Sequence, residues 1–156
     1  PFAKREVTRN TIDFRVYEGC DQEGILRALT DAIVILDNNQ SIETSFLILP
    51  SAFPQFRDFN DFQDVAQRLL ELMDRVGVYQ LVGFHPQYQF AGTAVDDAEN
   101  YTNRSPYSMV HILRESSVDR AVESSVDAAL ISDQNITTLN QFGAIELKAR
   151  WRACFE

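Results

Sequence analysis

The chain has 156 residues, 45% of them hydrophobic and 24% charged, with a formal net charge of −9. That length suits one domain with a sizeable core, held without metal or disulfide. The negative balance and the lack of any basic stripe argue against a nucleic-acid partner and against an anionic membrane surface.

In chain order, Ile12, Phe14 and Val16 alternate with Asp13, Arg15 and Tyr17, which predicts a strand with one apolar face. Asp21 is placed to cap a helix in which Ile25, Leu29, Ala32, Ile33 and Leu36 share a face, with Asn38-Asn39 as its stop. Phe46 to Leu49 is a continuous apolar run ended by Pro50 and reads as a buried strand. Asn60 is the expected N-cap of the next helix, which carries Phe62, Val65, Ala66, Leu69, Leu70, Met73 and Val76 and stops at Gly77. Tyr79 to Phe84 is a third strand, running into His85-Pro86.

From Pro86 to Pro106 neither period holds, except for a short helical stretch over Val95 to Tyr101. Loops of this length are uncommon unless they serve a function. Ser108 to Arg114 is a fourth strand, with Met109, His111 and Leu113 on one face. Ser116 caps a short helix, and two further helical stretches follow, the first ending near Gly143 and the second carrying Trp151 and Phe155. The order predicts an α/β fold: a single domain with a mixed sheet of about four strands covered by helices.

Cys20 and Cys154 lie far apart and form no metal-binding spacing, so a reducing, cytoplasmic setting is expected. Cys20 just precedes a helix start and reads as a buried thiol. No Gly-rich phosphate loop, GxGxxG, HExxH or GxSxG is present, which disfavours nucleotide-dependent chemistry. No apolar run reaches the roughly 20 residues of a membrane span.

Polar residues capable of chemistry concentrate between His85 and Glu115, beyond the carboxyl end of a strand where α/β sheets bind ligands. His85 is suited to act as general base or metal ligand, or it is a loop-entry histidine bonding backbone. His111 is either a further catalytic group or a satisfied core histidine. An antiparallel pairing of the third and fourth strands would bring His85 level with Met109 to His111; a parallel one would bring it to Arg114-Glu115. Asp96 and Asp97 can join a divalent metal with a histidine, Asp97 can orient the base, or both acids simply cap a turn. Arg104 is suited to clamp an anionic group, with Asn100, Asn103 and Arg114 as further ligand donors, or to pair with Asp96, Asp97 or Glu99.

These groups support a small-molecule enzyme using acid/base or metal-assisted, hydrolytic chemistry. Two alternatives stand beside it: a binding or regulatory module for a small anionic metabolite, and a purely structural knot of hydrogen bonds. A homo-oligomer is compatible with each.

Three blocks carry a resemblance: Gly83-Phe84-His85-Pro86-Gln87-Tyr88-Gln89-Phe90-Ala91-Gly92-Thr93, then Asp96 through Tyr107, then His111-Ile112-Leu113-Arg114-Glu115. Together they resemble the bacterial family catalogued as "domain of unknown function 1415", and order and spacing extend the likeness over most of the chain. The resemblance implies a bacterial cytoplasmic protein and no established activity. Family members typically carry an N-terminal segment leading into Cys-Pro-Phe-Ala. This sequence opens at Pro1-Phe2-Ala3, so that segment and its Cys are expected to be missing here.

Overall fold

The computed structural model describes residues 2–123 and 131–155. Helix α1 (Phe2–Arg9) leads into strand β1 (Ile12–Val16). Then come α2 (Gln22–Asn38), β2 (Thr44–Leu49), α3 (Phe56–Leu72) and β3 (Tyr79–Phe84). A long connection precedes β4 (Ser108–Arg114), followed by α4 (Glu115–Glu123) and α5 (Ile131–Arg152). The four strands make one mixed sheet in the order β1-β2-β4-β3. β1 and β2 are parallel, and β4 is antiparallel to both its neighbours. Thus β1, β2 and β3 share a direction, and β4 is inserted between β2 and β3 against them.

Parallel neighbours need a crossover, and α2 supplies it between β1 and β2. Asp21 caps α2 as expected, its carboxylate accepting from Gly24 N at 2.7 Å. The stripe Ile25, Leu29, Ala32, Ile33 and Leu36 and the stripe Phe59, Phe62, Ala66 and Leu70 of α3 bury against Leu47, Leu49, Val110 and Ile112 of the sheet. Full burial of each such aliphatic or phenyl side chain is worth ~1.5–3 kcal/mol, so this one face carries most of the core.

Several boundaries differ from the sequence reading: β2 begins at Thr44, two residues before the apolar run, and α4 begins at Glu115, which places Ser116 inside the helix and not at its cap. α3 begins at Phe56, not after Asn60, because Phe56 and Phe59 extend the apolar stripe by a turn. It ends at Leu72, with Asp74 left-handed two residues on (φ 55°); Gly77, the expected stop, is also left-handed (φ 77°) but lies beyond the helix, just before β3. α5 consists of two helical runs meeting at Gly143 (φ 75°), in line with the two stretches read from the sequence.

The apolar side of β1 is not the core side. Phe14 and Val16 are 63% and 58% exposed, while Arg15 pairs with core residue Leu47. β1 is an edge strand whose alternation is turned away from α2 and α3. On that outer face Phe14 stacks on Phe46 (centroids 5.6 Å apart) and Phe46 on His111 (3.9 Å). Cys20 is exposed, contrary to expectation. No helix among the described residues is long and apolar enough to cross a membrane.

Candidate functional site

β3 and β4 are antiparallel, with Phe84 opposite Met109. Continuing that register brings His85 level with Ser108, just beyond the range expected. His85 is 1% exposed and sits on the α3 side of the sheet, between the rings of Phe56 (5.5 Å) and Phe59 (5.4 Å). Its Nε2 lies 2.9 Å from Phe53 O, and its Nδ1 accepts from Gln87 N at 3.0 Å. A carbonyl only accepts and an amide N–H only donates, so the ring is the neutral Nε2–H tautomer with both nitrogens engaged. Burial holds its pKa below the ordinary value. In this arrangement both ring nitrogens are engaged by backbone, the alternative that the sequence left open beside base and metal ligand.

His111 points to the opposite face. It pairs with Val82 and Phe46 and stacks on the Phe46 ring. Thr44 Oγ1 is 2.6 Å from His111 Nε2 and donates its single proton to Ile112 O at 2.7 Å. Nε2 must therefore donate to the threonine, and His111 too is a neutral Nε2–H ring. Burial lowers its pKa to about 4. With the sheet between them, the two histidines share no site.

The expected ligand-binding residues hold the chain together instead. Asn100 is 0% exposed; its Oδ1 accepts from Phe90 N and from Thr93 Oγ1, each at 2.9 Å, and its Nδ2 donates to Ala94 O at 2.8 Å. Asn103 Nδ2 donates to Gly83 O, and its carbonyl accepts from His85 N. Arg104 lies over the Tyr101 ring and donates to Tyr88 O (3.1 Å) and Val95 O (2.6 Å), with no ion pair to Asp96, Asp97 or Glu99. Asp97 is exposed and accepts from Ala94 N at 2.7 Å, within its own turn. Asp96 is exposed. The helical stretch expected here is a short 3₁₀ turn, Ala98–Thr102.

Arg114 lies at the other end of β4, seven residues long, roughly 20 Å from the His85 end. It donates to Ile42 O, Leu36 O and Asn39 O, closing the C-terminus of α2, and to Tyr79 Oη. Tyr79 Oη donates in turn to Asp37, and burial pushes the phenol up to about 12. Arg114 therefore belongs to a structural network remote from His85. Among the described residues no three His, Cys, Asp or Glu side chains converge on a common metal position.

What the same end of the sheet does form is a cleft of about 120 Å³ beyond the carboxyl ends of β2 and β3. It is lined by Leu49, Ala52, Phe53, His85, Gln87, Tyr107 and Ser108, and by Pro50, Pro54, Pro86 and Pro106, every proline among the described residues. Phe53 adopts φ 55°, a left-handed conformation that bulky residues rarely take. Its carbonyl accepts from His85 Nε2 at 2.9 Å, while the Ser108 hydroxyl shares its one proton between Ala52 O (3.3 Å) and Phe53 O (3.4 Å). Its ring packs on Phe59 and Phe62. Phe53, Gln87, Tyr107 and Ser108 escaped the sequence reading. The signal was the clustering of prolines at three chain turns, which no local pattern assembles into one place.

The knitted loop and one wall of this cleft fall in the first two of the three sequence blocks that carry the family resemblance. The family model described as "Protein of unknown function (DUF1415)" matches residues 1–149. The chain belongs to the DUF1415 family. No curated protein and no solved structure matches it. In this DUF1415 chain the first two blocks supply both the hydrogen-bond network and one wall of the cleft, whereas Arg114 of the third block serves the opposite end of the sheet.

Proposed function

We propose that this chain is a small-molecule binding module without chemistry of its own, its ligand seated in the proline-rimmed cleft beyond β2 and β3. The observation that carries this reading is Phe53. A bulky residue at positive φ costs ~1–3 kcal/mol and persists where surrounding groups fix it, typically around ligand sites. His85 donates to its carbonyl, and its ring is packed on Phe59 and Phe62. In this reading His85 is a positioning residue that shapes the cleft wall.

The lining also supports a ligand class. No charged side chain among the described residues lines the cleft, and Arg104 is outside it, so a small neutral molecule fits better than the anionic metabolite expected from sequence. The Tyr107 hydroxyl and the Gln87 amide have no hydrogen-bond partner among the described residues and stand at the rim to receive a polar group. The prolines keep the walls preorganised, which lowers the ordering cost of binding. The engaged nitrogens of His85 favour this module over the acid/base enzyme.

The test is a thermal-shift screen of small neutral heterocycles against the chain and its Tyr107→Ala variant. A ligand at about 100 times its Kd adds ~2.7 kcal/mol, a rise of about 5–10 °C for a domain of this size. The variant should lose the shift while keeping its own Tm. Hits that bind both proteins equally, or a substrate turned over by the chain and not by His85→Gln, would sink the proposal.

A further inference from the structure

A second cavity, of about 270 Å³, lies between the long loop and α5. Its lining is Phe90, Ala91, Thr93, Glu99, Thr102, Asn135 and Ile136. Two structural causes create it. Asn100 holds Phe90 and Thr93 in place by accepting from both, and α5 packs along the 3₁₀ turn that carries Glu99 and Thr102. The walls are therefore fixed by a buried amide on one side and a packed helix on the other.

The chemistry of the lining is unequal in sign. Glu99 is the only charged side chain among the described lining residues, and its carboxylate has no ion pair or hydrogen bond among the described residues. The Thr102 hydroxyl and the Asn135 amide are likewise unengaged, while the Thr93 hydroxyl already donates to Phe90 O and Asn100. The apolar part consists of the Phe90 ring and Ile136. Tyr88 packs edge-on against Phe90, with centroids 4.9 Å apart, and steadies that ring.

A half-buried carboxylate beside an aromatic ring, with neutral hydrogen-bonding groups and no cation among the described lining residues, is the set that recognises an organic ammonium group. The carboxylate accepts a charge-assisted N⁺–H bond, the ring face attracts the cation, and the alkyl body lies on the apolar wall. An anion would meet Glu99, and a neutral ligand would leave the carboxylate unpaired. The chain's net charge of −9 adds attraction for cations at long range. We propose that the cavity between the loop and α5 is a binding site for a small protonated amine, anchored by Glu99 and Phe90. This site is separate from the proline-rimmed cleft: the two share no lining residue, and either holds without the other.

The probe is n-butylammonium, titrated into the full chain and followed by ¹H–¹⁵N NMR, with n-butanol and butyrate as neutral and anionic probes of equal length. Expected are saturable shifts at Glu99, Thr102 and Asn135 with the ammonium alone. Glu99→Gln weakens binding by at least about tenfold, the loss of one charge-assisted bond. Asp61→Asn, which removes the same charge from the exposed side of α3, changes it by less than about twofold. Ile136→Trp, which fills the cavity from the α5 side, abolishes binding with Glu99 intact. Shifts that fail to saturate or that spread over the acidic surface would overturn the proposal. So would binding retained in Ile136→Trp, or n-butanol or butyrate binding as tightly as the ammonium.

Discussion

Asn100→Ala separates a structural amide from a ligand-binding one. The side chain is 0% exposed and makes three close hydrogen bonds, accepting from Phe90 N and Thr93 Oγ1 and donating to Ala94 O. Each intramolecular bond contributes ~1 kcal/mol net, and partners left unpaired away from water cost more. The Thr93 hydroxyl shares its one proton with Phe90 O, so the expected loss for the variant is ~2–3 kcal/mol, or about 4–12 °C in Tm for a domain of this size. Thermal unfolding followed by far-UV circular dichroism measures it. An amide kept for ligand binding gives the opposite result, since removing such a residue is stability-neutral or better. An unchanged or raised Tm would refute the assignment of Asn100 to the loop's framework.

Three further outcomes follow from the same structure. Arg114→Lys should destabilise by ~2 kcal/mol, because an ammonium cannot reach the three α2-end carbonyls and Tyr79 at once; a midpoint in urea unchanged from wild type would contradict this. Asp74→Gly should stabilise by ~0.5–1 kcal/mol, since the left-handed φ of 55° after α3 suits glycine, and a lowered midpoint would count against it. For His111 the folded pKa of about 4 lies below the ordinary 6.5, so between these values the unfolded chain binds the extra proton. Its contribution, on the order of 3 kcal/mol, is present above pH 6.5 and is lost as pH falls toward 4. His111→Phe keeps the stack on Phe46 and should flatten that part of the stability–pH curve; an identical curve in the variant would show that His111 does not titrate as described.

Much of the fold was legible because local pattern and tertiary role agree. The stripe from Ile25 to Leu36 and the runs Tyr79–Phe84 and Ser108–Arg114 were read with their observed extents, since periodicity there reflects one buried face. β1 shows where pattern misleads. Alternation fixes that a strand has two faces but not which one meets the helices, and at this edge strand the apolar face is the outer one. The loop was located correctly as the place where polar side chains gather. Their roles were not legible, because an amide or guanidinium that binds a ligand and one that binds a carbonyl look alike in sequence. Only the folded partners distinguish Asn100, Asn103 and Arg104 as framework. The cleft itself is assembled from residues near positions 50, 86 and 107, whose meeting depends on β4 lying between β2 and β3.

The most direct measurement is a fragment screen read by ¹H–¹⁵N NMR, mapping which amides move when a neutral heterocycle binds. The account predicts saturable shifts clustered at Phe53, Gln87, Tyr107 and Ser108, absent in Tyr107→Ala. Shifts centred instead on Asp96, Asp97 and Arg104, with Phe53 and Tyr107 unmoved, would contradict it.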